Sequence, residues 1–423
     1  MKFEAILADD ITGAGDSGVH FAVSRIRTAI LFELQALSEA LRDHTTVALS
    51  SETRFLSPAE AAAAVRQIVH VCKENNVRVV FKKVDSTLRG NPGAEIEAIL
   101  DETGYAAALV CPAMPKTGRV CRNGAILVNG EPLHMGESGR DPFNPVRGAS
   151  IAEILAAQTS APLGNIHLDC VRAGASVLSD TVTELIAKGT RIIIADAASD
   201  DDLAALGQLL RDSRAAKNNR RLLPVGAGGL AEAFTGGAVP HHLGSKPQGR
   251  MLAVVGSLTG VSQAQIGVAM ESDDFFVLEL DMEQAFLDPG KEIARLVAEA
   301  PKSDKRHLLL KNRTLPHPGK TGCISTANAR HAAEIFAAAA WAICRVNDCS
   351  ILYVTGGSIA VSVASAFGLR YLTLERECSP GIALCSCVCP GTALRWFISK
   401  AGGFGESDTI IKLASGMSQV AIR

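Results

Sequence analysis

Aromatic side chains are scarce in this chain of 423 residues: 2 tryptophans, 3 tyrosines and 14 phenylalanines, 4% in all. That scarcity excludes the base-stacking platforms that single-stranded nucleic acids require. A cationic excess is missing as well, with 42 Lys and Arg against 44 Asp and Glu and a formal net charge of -2. Without a basic cluster there is no electrostatic footprint for nucleic acid, although local arginines and lysines can still bind small anions. Long hydrophobic runs are absent too: the longest, residues 335–344, is about half a membrane span and follows His331 and Glu334. The opening MKFEAILADD lacks the apolar length and cleavage site of a signal peptide and carries acids that a transit peptide would not. A soluble, cytoplasmic protein is expected. In that compartment the 11 scattered cysteines read as reduced thiols. Cys385, Cys387 and Cys389 spell C-x-C-x-C, but no partner pair follows at ligand spacing, so they are not read as a metal clip.

What is present is ordinary globular material, 47% apolar and 20% charged, too long for one core. Apolar strand-like runs alternate with amphipathic helical stretches: TTVALSS, then AEAAAAVRQIVHVCKEN, then VRVVFKKVD, then AEIEAILDETG, then AALVCPA. Such alternation predicts a mostly parallel, doubly wound sheet. Residues 116–145 interrupt it with a glycine- and proline-rich, hairpin-like excursion, after which RIIIADAAS and LLPVGAGGLAEAF resume the pattern. GGAVPHHLGSKPQGR, without periodicity, is the best linker, and a second series starts at MLAVVGS. The reading is α/β with two domains, each a mostly parallel doubly wound sheet flanked by helices: residues 1–240, a linker 241–250, and 251–423. Alanine-rich helix faces leave room for a homodimer.

The chain is organised around its first turn. An apolar run at residues 5–8 predicts a short buried strand, and helical spacing of Val19, Phe21, Ala22 and Ile26 predicts a helix from about Asp16. Between them lie Asp9 and Asp10, and Gly13, Gly15 and Gly18 complete G-x-G-x-x-G. A dehydrogenase that binds NAD through those glycines is one alternative, with Glu33 as ribose acceptor. Asp9, Asp10 and Asp16 would then set negative charge beside a pyrophosphate, which disfavours it. Carboxylates in such a turn suit hydroxyl recognition, a general base or water-mediated Mg²⁺. The plainer alternative is one aspartate capping the helix and another in solvent.

A second cluster, KKVDSTLRG, closes a strand with Lys82, Lys83, Asp85, Ser86, Thr87 and Arg89, and Arg54 stands similarly past TTVALSSET. Cations and acids at strand ends would match a substrate with a carboxylate at one end and hydroxyls along its length. A structural ion pair of Asp85 with Arg89 or a lysine is the competing explanation. In the second half three glycine turns, GSLT at 256–259, TGGS at 355–358 and GGFG at 402–405, read as a phosphate cradle. Gly319-Lys320-Thr321 ends like a Walker A loop, but the first glycine of that motif would fall on Thr314, so a P-loop is not expected.

ADDITGAGDSG, KKVDSTLRG, the PLH…RDPFNPV segment with His134, Arg140 and Asp141, VRAG, GS-x-T, TGG, SPG and AGGFG occur in an order that resembles the four-carbon acid sugar kinase family over nearly the whole chain. The resemblance implies a sugar-acid domain followed by an ATP-binding domain without a P-loop, with the active site in the interdomain cleft. It also implies ATP-dependent phosphorylation of the 4-hydroxyl of D-threonate or D-erythronate, with 3-oxo-tetronate as the alternative substrate. Carried over by position, Asp9, Asp10, Arg54, Lys82, Lys83, Val84, Asp85, Ser86 and Arg89 bind the sugar acid. Asp10 is the expected base with Asp85 as competitor, and Asp9 and Asp16 would help hold Mg²⁺. Ser257, Thr259, Gly356, Gly357, Ser358, Ile359 and Gly403 bind ATP. Two departures stand out: Ser358 where the family has an aspartate, and Lys400-Ala401-Gly402-Gly403 where KSGG is common. A non-catalytic sugar-acid sensor is the rival that Ser358 suggests.

Overall fold

A computed structural model describes residues 3–22, 26–140, 145–215, 221–237, 247–300, 305–313 and 326–416. The chain divides into two compact units, Met1–Ala29 with Leu37–Pro240, and Ile30–Ala36 with His241–Arg423.

In the first unit the strands stand in the order Thr46–Ser50, Phe3–Ala8, Val77–Lys83, Leu222–Gly226, Ala107–Cys111, Ile192–Ala195 and Leu163–Ile166, each parallel to its neighbours. Except in the edge strand Leu163–Ile166, their interiors are almost wholly buried, as expected of strands covered on both faces. The helix Pro58–Glu74 illustrates the local logic: Ser57 and Glu60 form a capping box, Pro58 sits in the first turn, and Ala61, Val65, Ile68, Val69 and Cys72 make the buried stripe. The excursion after residue 116 is a small antiparallel sheet of Arg119–Arg122, Ala125–Val128 and Glu131–Pro132. Its Asn123-Gly124 turn has both φ angles positive, as a two-residue hairpin demands, and buried Asp196 accepts both N–H groups at 2.8 and 2.9 Å.

One expectation is corrected here. The first helix begins not near Asp16 but at Ile11, directly after Asp10, and runs to Phe21. Gly13, Gly15 and Gly18 therefore lie inside a helix, and no glycine turn exists to take a pyrophosphate. Gly13 is there for close packing, because a Cβ would come 2.7 Å from Asp10 Oδ1 and 3.2 Å from Lys83 Nζ.

The second unit orders Phe275–Leu280, His307–Asn312, Met251–Val255, Ile351–Thr355 and Trp396–Lys400 in parallel, then adds Ile382–Ser386 and Tyr371–Ser379 antiparallel. Helices Gly260–Glu271, Thr326–Val346 and Gly357–Ala366 accompany it. A core of Met251, Ala253, Ile266, Phe275, Leu309, Tyr353, Ile398 and Ile410 joins sheet to helices. Segment Ile30–Ala36 belongs here: the Phe32 N–H reaches the Arg370 carbonyl at 3.0 Å, and the Phe32 and Phe397 rings meet edge to face. Cys385, Cys387 and Cys389 are buried, and Cys389 Sγ donates to the Phe367 carbonyl. Among the described residues no helix is long and apolar enough to cross a membrane. Gly319, Lys320, Thr321 and Asp141 lie outside the described residues.

Candidate active site

Adjacent parallel strands of the first unit bring the first group of side chains together. In register, Ala8 pairs with Ser50 on one side and Lys83 on the other, so the segments after all three strands emerge at one edge. In open α/β sheets that carboxyl edge is where ligands bind.

Arg54 is the centre of this group. Its Nε donates to Asp9 Oδ2 at 2.8 Å, its Nη1 lies 3.0 Å from Asp10 Oδ2, and its Nη2 lies 3.9 Å from Asp85 Oδ1. Asp10 also caps the first helix through the Gly13 N–H at 2.8 Å and accepts from Thr12 Oγ1 at 2.7 Å. Asp10 thus caps the helix, as the plainer reading expects of one aspartate, and pairs with Arg54 at the same time. Burial would raise the Asp10 carboxyl, but the Arg54 and Lys83 cations outweigh burial and hold it below its usual value. Asp9 is 3% exposed rather than solvated, and its Oδ1 is buried without a hydrogen-bond partner among the described residues. That oxygen is an acceptor with capacity left for a hydroxyl.

Asp85 is more heavily committed. Its Oδ2 accepts from the Thr87 N–H at 3.2 Å, the Thr87 hydroxyl, and Arg89 Nε at 3.0 Å, while Arg89 Nη2 reaches Oδ1 at 3.0 Å. Against burial, Arg89 and then Arg54 keep its carboxyl well below the usual range. This bracket holds Leu88 at φ 53, an uncommon angle for a leucine, and Gly90 at φ 90, where a Cβ would stand 3.3 Å from Arg54 Cα. The structural ion pair is thus real, and it shapes the loop that faces Arg54.

Lys82 and Lys83 part company, as neighbours on a strand must. Lys83 turns to the first helix, 3.6 Å from Asp16 Oδ2. Lys82 is fully buried on the opposite side, 2.5 Å from Glu95 on the helix Pro92–Glu102, and Thr53 Oγ1 donates to the same carboxylate at 2.8 Å. It therefore braces the strand rather than facing the Arg54 group. Val84 uses its N–H on the Gly226 carbonyl at 3.0 Å, and Ser86 is buried beside Asp85. Asp16 packs against Gly228, where a Cβ would stand 2.9 Å from its Oδ1.

These carboxylates do not make a metal cage. Arg54 and Lys83 already stand against them, and among the described residues no group of three or more His, Cys, Asp or Glu is placed to hold an ion.

In the second unit the same design recurs with other chemistry. Val255 pairs with Thr355, which pairs with Lys400, so three glycine-bearing loops leave one edge. Thr259 caps the helix Gly260–Glu271 and donates to the Gly402 carbonyl at 2.9 Å. A Cβ on Gly402 would stand 2.7 Å from Ser257 Oγ, and one on Gly256 would stand 2.2 Å from Ile359 Cδ1, so the loops interlock. Gly356, at φ 99, precedes the helix Gly357–Ala366, and its N–H bonds the Lys400 carbonyl at 3.1 Å. Ser358 and Gly403 are exposed. Two helix N-termini and an open glycine loop form an edge suited to an anion.

Residues 5–234 match a family described as the sugar-binding N-terminal domain, and residues 252–410 match the nucleotide-binding C-terminal domain. A D-threonate kinase of Salmonella typhimurium is 31% identical over 96% of each chain, and one of Cupriavidus necator is 33% identical over 95% of this chain and 94% of its own. The chain belongs to the four-carbon acid sugar kinase family. A D-erythronate kinase of Heliobacterium modesticaldum is 29% identical over 96% of this chain and 95% of its own. In fold, a Salmonella typhimurium LT2 protein superposes with a TM-score of 0.80 at 19% identity over all of both chains, and a Haemophilus influenzae protein with 0.69 at 22% over 98% and 99%. The protein is a phosphotransferase with an alcohol acceptor.

Several residues of this kinase escape a reading of the sequence. Glu52, at φ 48 between the Thr46–Ser50 strand and Arg54, is one. Crowding, then the charges of Asp10 and Asp9, raise its carboxyl to about 7, although its exposed side chain lets solvent screen part of that shift. Glu95 and Lys400 are the others, and their only sequence signals are a charge on an apolar helix face and a lysine before a glycine run. Burial pulls the Lys400 ammonium down to about 7.

Proposed function

We propose that this kinase transfers the γ-phosphoryl group of ATP to the 4-hydroxyl of D-threonate, with D-erythronate and 3-oxo-tetronate as the alternatives to be tested against it. The observation that carries the reading is the Arg54 group, in which one guanidinium is shared by Asp9, Asp10 and Asp85 at the carboxyl edge of the sheet. The full-length similarity to D-threonate kinases supports the choice among tetronates.

In this reading Arg54, Lys83 and Arg89 orient the substrate carboxylate, and Asp9 Oδ1 accepts a hydrogen bond from a substrate hydroxyl. Asp10 accepts the proton of the attacking 4-hydroxyl and passes it to solvent. A carboxylate held ionised is a weak base, but a loose phosphoryl-transfer transition state demands little activation of the nucleophile, and positioning with charge neutralisation supplies most of the acceleration. Five hydrogen bonds, to Thr87 and Arg89 donors, leave Asp85 in a supporting role. Ser257, Thr259, Gly356, Gly357, Ser358, Ile359 and Gly403 take the nucleotide phosphates, and Mg²⁺ comes bound to those phosphates, as is usual for this ion.

A coupled ADP-release assay over D-threonate, L-threonate, D-erythronate and 3-oxo-tetronate tests the proposal. The highest kcat/KM is expected with D-threonate. A higher value with another tetronate reassigns the substrate, and no turnover with any of them restores the sensor reading.

A further inference from the structure

Lys400 is a lysine that the sugar-acid chemistry does not use, and its surroundings are unusual. The side chain is fully buried, and its Nζ meets only neutral oxygens: the carbonyls of Ala401 at 3.2 Å, Gly402 at 2.9 Å and Phe404 at 3.0 Å, and Ser262 Oγ at 3.5 Å. Among the described residues no carboxylate lies within ion-pair distance of it. A buried ammonium without a counter-charge is costly, so three carbonyls converging on one cation make a built arrangement rather than an accident of packing.

Neighbouring groups grip the same loop from the same side. Thr259 and Ser262 hydroxyls reach the Gly402 carbonyl at 2.9 and 3.1 Å, and Gln265 Nε2 reaches the Phe404 and Glu406 carbonyls at 3.1 and 2.9 Å. A trans peptide is planar with its C=O and N–H antiparallel. Turning the Gly402 carbonyl onto Lys400 therefore turns the Gly403 N–H the other way, and Gly403 itself is exposed, with nothing within 4 Å of a Cβ built on it. The main chain of Lys400 meanwhile fixes the adjacent turn, since its carbonyl accepts the Gly356 N–H at 3.1 Å. One residue thus ties down both glycine turns.

We propose that Lys400 is a positioning residue for the nucleotide, its side chain drawing the carbonyls of residues 401, 402 and 404 inward so that the loop amide at Gly403 faces the phosphates. This rests on the nucleotide reading of that loop. Unlike a lysine that contacts phosphate, it acts from beneath, through the backbone it organises.

The test uses the full chain and its Lys400→Met and Lys400→Gln variants, with binding of a non-hydrolysable ATP analogue measured by calorimetry alongside steady-state kinetics. Lys400→Met is expected to weaken the analogue and raise the ATP KM by about tenfold or more, the scale of one lost charge-assisted contact set. The sugar-acid KM should stay within about twofold, and Lys400→Gln, which keeps donors of similar reach, should recover part of the ATP affinity. A wild-type protein that fails to bind the analogue overturns the nucleotide reading itself. Wild-type binding with unchanged affinity in both variants overturns the role of Lys400 alone, as does a loss of thermal stability with both KM values rising together. If Lys400→Met does not fold, the Gln variant carries the same comparison.

Discussion

The two units solve one geometric problem with opposite chemistries. In each, adjacent parallel strands deliver three loops to a carboxyl edge: after Ala8, Ser50 and Lys83 in the first, after Val255, Thr355 and Lys400 in the second. The first fills that edge with charged side chains that neutralise one another around Arg54. The second uses glycines, hydroxyls and helix ends, and keeps the Lys400 side chain out of sight beneath the backbone. In the proposed reading the difference follows from the ligands. A small hydroxy acid offers specific donors and acceptors that side chains can match, whereas phosphates are recognised well by arrays of N–H groups.

If this contrast holds, damage to the first edge should be severe and electrostatic. Arg54→Ala would leave Asp9, Asp10 and Asp85 without their shared partner, and the expected loss is about 3–5 kcal/mol of stability, seen in urea melts, with turnover abolished. Retained activity would break the comparison at its centre. Next, Asp10→Asn keeps a side chain able to cap the helix, so the fold should survive while kcat falls by about a hundredfold and ADP affinity does not change. Equal losses in ADP binding would mean that Asp10 serves the fold alone.

Milder and steric effects are expected at the second edge. Gly402→Ala pushes a methyl group against Ser257 Oγ, and the ATP KM should rise by about tenfold with the sugar-acid KM unchanged. The smallest effect concerns pH. Asp85 has a folded-state pKa well below its ordinary value, so its contribution to stability is present above about 3.9 and lost as pH falls toward the folded value. A plot of Tm against pH should drop on the acid side for the wild type and less steeply for Asp85→Asn. Parallel acid limbs would remove Asp85 from that account.

Much of this was visible in the chain. Apolar runs such as VRVVF and ILYVT declare buried strands, and the periodic stretch AEAAAAVRQIVHVCKEN declares a helix. What misled was glycine. In ITGAGDSG it reads as a turn because glycine is a poor helix former, yet packing against Asp10 and Lys83 overrides propensity. Strands Leu163–Ile166, Ile382–Ser386 and Trp396–Lys400 were missed, being short and broken by glycine, serine or lysine. At the first edge, residue types at strand ends sufficed to single out Asp9, Asp10, Arg54 and Asp85, which the fold gathers into one group. The opposed directions of Lys82 and Lys83 needed coordinates, because strand ends give no sign of which helix covers which face.

The excursion of residues 30–36 gives the polypeptide a property that its pair of family names conceals. Neither half is one uninterrupted length of chain, since seven early residues are lodged with the later half. Separately synthesised pieces divided after residue 240 would each be defective, one carrying the stranded apolar stretch of Ile30 and Leu31, the other missing the ring that abuts Phe397. Ribosomal synthesis must therefore leave those seven residues waiting until the final third of the protein has emerged.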